Sequence, residues 1–255
     1  PKAKPAAHDG FSAERVVKDI EVISREHHSV AHPEERAQVR EYLMQRLQEM
    51  GADTVKVFRY DSLTGPQNKH VVYTFDAYDV LAEFAPLKDS EDATYLMMVA
   101  HYDSRYSQPM PKDTVWSYGA ADDGYGIGVI LETVSQVLKQ REHWKQGVKV
   151  LFTDAEEVGM MGMKAIWEND RHVFDNVGLI INIEARGPWG PALLFEACPG
   201  NEKVIDLYAS VAKYPYTYSL TTVVYGFMPN FTDFTIVKDS IPGLNFSTIT
   251  DVNHY

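Results

Sequence analysis

Four short clusters in the chain hold the residue types that ligate metals and move protons: His101-Tyr102-Asp103, Gly119-Ala120-Ala121-Asp122-Asp123-Gly124, Asp154-Ala155-Glu156-Glu157 and Glu184-Ala185-Arg186. His101 follows the apolar run 95–100, with Asp103 two residues on and on the same side of an extended chain. A metal-bound imidazole commonly has its orientation set by a nearby acid, and this spacing supplies one. Asp122 and Asp123 are delivered by a loop of small residues just ahead of a helix. Taken alone, they also read as a helix cap, and His101 alone also reads as an ordinary satisfied histidine. Glu156 and Glu157 follow the apolar run 148–152, where repulsion and desolvation can tune one carboxylate to accept a proton. Glu184 closes the apolar run 177–183, and a carboxylate buried there needs a partner. Clusters so far apart in sequence converge if they share a metal site. Imidazole plus carboxylates suits zinc, manganese or cobalt, and a bridging carboxylate suits two ions about 3.5–4 Å apart.

The elements that must position these residues can be read from periodicity and punctuation. Apolar residues at Val16, Val17, Ile20 and Ile23 predict a helix over 11–28 with Ser12 as its N-cap. Pro33, Glu34 and Glu35, then Val39, Leu43, Leu47 and Met50, then Gly51, give start, face and stop of a second helix. Strands are predicted over 54–60, 70–75, 80–84 and 95–100. Beyond them helices (124–138, 161–168, 202–213) alternate with strands (148–152, 177–183, 193–197, 244–247). Early hairpin-like strands followed by this alternation imply a three-layer α/β/α sandwich around a mixed, mainly parallel sheet. In such sheets, sites form beyond the carboxyl ends of the strands, which is where all four clusters fall.

In this order and spacing, HYDS from His101, GAADDGYG from Gly119, DAEEVGMMG from Asp154 and NIEARG from Asn182 resemble the co-catalytic zinc peptidase family of aminopeptidase Y, glutamate carboxypeptidase II and the endoplasmic reticulum metallopeptidase. The resemblance covers nearly all of the chain from Phe11 onward, and it implies the zinc-exopeptidase, phosphorylase/hydrolase-like form of the sandwich. It further implies two zinc ions bridged by Asp122, with His101 and Glu184 completing one site and Glu157 belonging to the other. Glu156 is then the general base that takes a proton from a zinc-activated water, Asp103 orients the ligands, and the Asp122-Asp123 peptide is cis. Asp123 and Asp233 are expected beside the ligands, and a polar side chain from the loop 226–233 is expected near the oxyanion. The family closes its second site with a histidine that would align just past Tyr255, so His254 is expected to neighbour that ligand or to substitute for it. On this reading, residues 1–10 are a flexible lead, and 11–255 are one peptidase domain cut short before its last ligand.

Composition narrows the alternatives. A net charge of −12 argues against a nucleic-acid partner, and the single cysteine, Cys198, excludes an intrachain disulfide and a multi-thiolate zinc site. No apolar run approaches the roughly 20 residues of a bilayer span, and the opening residues do not form a signal peptide. The resemblance implies a peptide substrate, aminopeptidase-like action, and an exported or membrane-tethered location with any anchor outside this sequence. Two rivals remain. One is a single-zinc glutaminyl cyclase, whose His-Tyr-Asp-Ser segment is similar and whose Ser-Lys compares with Ser104-Arg105. The other is an inactive scaffold of the same fold. Asp123 and the Glu156-Glu157 pair favour hydrolysis, and the filled ligand positions speak against the scaffold.

Overall fold

The computed structural model describes residues 2–65, 74–88, 90–105, 108–109, 114–187, 189–218, 220 and 231–249. In chain order the strands are β1 (Thr54–Thr64), β2 (Thr74–Phe84), β3 (Tyr95–His101), β4 (Gln108–Pro109), β5 (Thr114–Val115), β6 (Gly147–Thr153), β7 (Val177–Ala185), β8 (Leu193–Ala197) and β9 (Gly243–Thr248). The α-helices are α1 (Ala13–Ile23), α2 (Pro33–Glu49), α3 (Gly124–Val137), α4 (Met161–Asn169), α5 (Glu202–Val211) and α6 (Asp233–Val237). No described helix is long and apolar enough to cross a membrane.

Seven strands form one sheet in the order β1-β2-β6-β3-β7-β9-β8. The central neighbours β6, β3, β7 and β9 run parallel, and antiparallel pairs close both edges. Alternation along the strands splits the core in two. Val80, Ala82, Phe84, Met98 and Ala100 face α1, α2 and α3 through Ile23, Leu43, Leu47, Ile127 and Leu131. Leu81, Met97, Val99 and Leu151 face α4 and α6 through Met163, Ile166, Phe234 and Val237. This is the expected α/β/α sandwich, with α1, α2 and α3 packed on one face of the sheet and α4 and α6 on the other.

Local signals acted mostly as read. Ser12 caps α1, its hydroxyl accepting from the Arg15 amide, and Gly51 follows α2 at φ +82. Four expectations need correcting. The first helix stops at Ile23, because Ser24 returns both its amide and its hydroxyl to the Ile20 carbonyl; His27 and His28 therefore lie in a loop. Val17 is 49% exposed, outside the buried stripe of Val16 and Ile23. The runs at 70–75 and 80–84 are not two strands, since β2 is continuous from Thr74, pairing first with β1 and then with β6 as well; residues 70–73 lie outside the described residues. The short helix α6 was not foreseen. Residues 6–10 are held by Arg15, whose guanidinium donates to the carbonyls of Ala6, His8 and Gly10 and pairs with the buried Glu132 of α3.

Gly162, at the start of α4, sits where a Cβ would overlap the Asp154 carbonyl oxygen and the Asp79 carboxylate. Backbone on one side and a buried carboxylate on the other leave little room to relax. Gly162→Ala is expected to destabilise the fold by about 2–3 kcal/mol despite the better helix propensity of alanine, read as a lower denaturant midpoint.

Candidate metal centre

The parallel strands deliver the four clusters to one edge of the sheet. In the β3–β6 register His101 stands opposite Thr153, the residue before Asp154. In the β3–β7 register Val99 stands opposite Asn182, which brings His101 and Glu184, each two residues further on, level with one another. His101 Nδ1 donates to the Asp103 carbonyl oxygen at 3.0 Å, so Nε2 is the nitrogen that faces the acids, 3.0 Å from Asp122 Oδ1 and 3.9 Å from Glu184 Oε2. Ligand atoms of His101, Asp122 and Glu184 all lie within 4.8 Å of one another, and the three side chains are buried. Asn182 Nδ2 reaches Glu184 Oε1 at 3.4 Å and Asn245 Oδ1 at 2.9 Å, tying Glu184 to the next strand.

Asp122 enters from the loop before α3, through a cis peptide to Asp123. The loop is closed by the Gly124 amide donating to the Gly119 carbonyl at 2.8 Å, a turn so tight that a Cβ on Gly124 would lie 2.7 Å from that oxygen. Asp123 turns into the helix it begins: its Oδ1 accepts from the Gly126 amide at 3.0 Å, while Oδ2 is buried with no partner among the described residues. The acid loop after β6 is arranged by Asp103, whose two oxygens accept the Glu156 amide at 2.8 Å and the Glu157 amide at 3.2 Å. Asp103 therefore acts on the acids through their backbone as well as on His101. Glu157 Oε2 lies 3.8 Å from the Arg105 guanidinium, and its Oε1 is buried without a partner among the described residues. Asp233, at the start of α6, accepts from the Thr153 hydroxyl, and its other oxygen is an orphan of the same kind. His254 and residues 226–230 lie outside the described residues.

Burial is the leading cause that raises the carboxyl groups of Glu156, Glu157 and Asp123 well above the usual carboxylate range, and it raises Glu184 too. Neighbouring acids add to it: Glu184 for Glu156, and Asp122 for Glu157. Asp233 is pushed up to about 7, again by burial first. Burial opposes the imidazolium of His101, yet its hydrogen bonds to Asp103 and Asp122 outweigh that and raise it well above the ordinary histidine value. So much buried negative charge, with orphaned oxygens at Asp123, Glu157 and Asp233, is what a divalent cation would neutralise. The donor set of one imidazole and several carboxylates fits zinc, with Nε2 of His101 as the ligand and Nδ1 committed to the Asp103 carbonyl.

The model of peptidase family M28 matches residues 79–255, more than half of the chain. The chain belongs to peptidase family M28. Among curated proteins, this M28 domain is 28% identical to endoplasmic reticulum metallopeptidase 1 of Mus musculus, over 67% of this chain and 18% of that protein. It is 26% identical to the vacuolar membrane protease of Eremothecium gossypii, over 87% of this chain and 22% of that protein. The chain thus spans about a fifth of the length of these relatives. Solved structures with the same fold include glutaminyl cyclase of Porphyromonas gingivalis, with a TM-score of 0.73 at 17% identity over 97% of this chain and 88% of that one. A Zn-dependent exopeptidase of Parabacteroides distasonis gives a TM-score of 0.69 at 19% identity over 96% and 86%.

Sequence reading alone gave no role in the site to Arg36, Asp79 or Asn182, and Asp154 entered only as the first acid of its cluster. Asn182 and Asp79 carried a usable signal, a polar side chain inside an otherwise buried strand. Arg36 carried none, because its partner Asp154 is 118 positions away.

The raised groups set a pH dependence for the metal-free chain. A carboxyl whose folded pKa is raised weakens the fold as pH climbs from the unfolded value near 4 to the folded value, about 6 for Asp154 and about 7 for Asp233. The raised His101 gives up its stabilising charge as pH climbs from about 6.5, its unfolded value, toward a folded value well above that, so both effects share a sign. Chelator-treated protein is expected to melt about 5 °C or more lower at about pH 7.5 than at about pH 5. Zinc should raise the melting temperature more at the higher pH, where its ligands are deprotonated.

Proposed function

We propose that the domain is a zinc-dependent exopeptidase acting as an aminopeptidase, with two zinc ions that His101, Asp122, Glu157 and Glu184 would hold between them. The observation that carries this reading is the excess of acid around one imidazole: the half-buried Glu156 and the buried Asp123 and Asp233 remain after the four ligands are counted. Such a field attracts the protonated amino end of a peptide and repels its carboxylate end, which favours release of the first residue over the last. Two relatives are named endoplasmic reticulum metallopeptidase 1 and vacuolar membrane protease, and on that similarity we place this domain in a lumenal or extracellular space, tethered to a membrane.

The ions, when bound, supply Lewis acidity that lowers the pKa of a water and polarises the scissile carbonyl. Glu156 is the general base. Its raised affinity for a proton suits it to accept one from the attacking water and to return it to the leaving amine nitrogen. Asp103 holds Glu156 to this task through its amide while fixing the tautomer of His101. Asp123 anchors the start of α3 and so the approach of Asp122, and Asp233 stands behind the acids through Thr153.

A second reading, cyclisation of N-terminal glutamine at a single zinc, draws on the glutaminyl cyclase fold and on the fact that only three ligand atoms cluster among the described residues. Elemental analysis and a peptide panel separate the two. Two zincs per chain, release of the first residue from free but not N-acetylated peptides, and a kcat at least about 1,000-fold lower in Glu156→Gln at unchanged zinc content are the expected outcome. One zinc with ring closure of N-terminal glutamine would sink the peptidase proposal.

A further inference from the structure

We propose that Arg36, on α2 and remote in sequence from every motif of the site, is the positioning residue that holds the acid loop 154–157 in register with His101 and Glu184. Its Nη1 donates to Asp154 Oδ1 at 3.1 Å, with both side chains at most 3% exposed, and its Nη2 donates to the Asp76 carbonyl at 2.9 Å. Asp154 is in turn a four-way joint. Its Oδ2 accepts the Tyr78 amide at 2.9 Å, its own amide donates to Asp79 Oδ1 at 2.8 Å, and its carbonyl accepts the Gly162 amide at 3.0 Å.

This joint sets the direction in which the chain leaves β6. The next residue, Ala155, is fully buried at φ +57, and Glu156 and Glu157 follow with their amides on Asp103. The loop is thus pinned at two points, by Asp103 at the acids and by Arg36 through Asp154 just upstream. Arg36 is the only cation paired with Asp154 among the described ion pairs, so the upstream pin is a buried charge pair, and deleting one member leaves the other uncompensated. Among the described hydrogen bonds and ion pairs Arg36 meets neither the ligand atoms nor Glu156. It acts by fixing where the backbone carrying Glu156 and Glu157 begins.

Two variants test this. Arg36→Lys keeps a cation beside Asp154 but gives up the planar bridge to the Asp76 carbonyl. In the double variant Arg36→Met, Asp154→Asn the buried charge pair is replaced by uncharged groups, which restores stability in many proteins. Amide hydrogen exchange over 154–160, zinc affinity by chelator competition, and kcat and KM on a cleaved peptide are read for each. Only the kcat arm rests on the peptidase reading. The expected result in both variants is exchange in the loop about tenfold faster while β3 amides are unchanged, with zinc affinity and kcat each lowered about tenfold or more at constant KM. The double variant is expected to do so at a nearly wild-type melting temperature. Exchange that rises equally in β3, or a double variant whose loop exchange and zinc affinity match wild type, overturns the role and leaves Arg36 a plain stabiliser. A wild-type chain that cleaves no peptide overturns the peptidase reading alone, since exchange and zinc affinity need no turnover.

Discussion

The carboxylates gathered at one end of a parallel sheet repel one another and have been taken out of water, and the rest of the structure is arranged around that fact. Asp122, Glu184, Glu156, Glu157, Asp123, Asp103 and Asp233 surround one imidazole, with the Arg105 guanidinium near Glu157 and Arg186 acting on Glu184. Ordinary protein interiors do not keep such a set charged. The chain limits the cost by giving many of the oxygens a donor: backbone amides for Asp103 and Asp123, a hydroxyl for Asp233, and the Asn182 amide for Glu184. The oxygens left without a donor among the described residues, on Asp123, Glu157 and Asp233, mark where a cation has work to do.

The fold makes this concentration possible by separating two tasks. Strands β3, β6, β7 and β9 are buried over most of their length, so their apolar interiors pin register, and register pins the height of His101, Asp154 and Glu184 at the strand ends. The loops beyond are then short extensions of a rigid frame rather than independent structures. Helices contribute at their starts: α3 receives the Asp123 carboxylate, and α6 begins with Asp233 in a capping box built by Thr232 and Thr235.

Much of this was legible before any coordinates. The layer architecture followed from runs of apolar residues whose ends were marked by glycine, proline and acids, and the strand Leu193–Ala197 emerged with the very bounds expected. The convergence of His101, Asp122 and Glu184 followed from their positions at strand ends and a helix start. What stayed hidden has physical causes. Helix α6, at five residues, is too short to show a period, and its stability comes from caps and from Phe234 and Val237 in the core. The continuity of β2 depends on its pairing partners rather than its own pattern. The end of α1 turned on a serine hydroxyl competing for a helix carbonyl, a local bond that apolar spacing does not report. The joint at Asp154 joins groups from three distant stretches of chain, and no window along the sequence contains it.

Asp103 grips the acid loop by its main chain: the amides of Glu156 and Glu157 are what it binds, and any amino acid but proline presents an amide. Beyond Asp154, whose carboxylate is tied to Arg36, the path of this loop is therefore largely independent of which side chains it carries. A scaffold of that kind can exchange its reactive groups without rebuilding the surface that presents them, much as a socket accepts different tools. Enzymes named for peptide cleavage and for glutaminyl cyclisation do share this architecture. Chemical diversity on a constant frame is what a backbone-anchored loop permits, and a loop held only by its reactive side chains would have forbidden it.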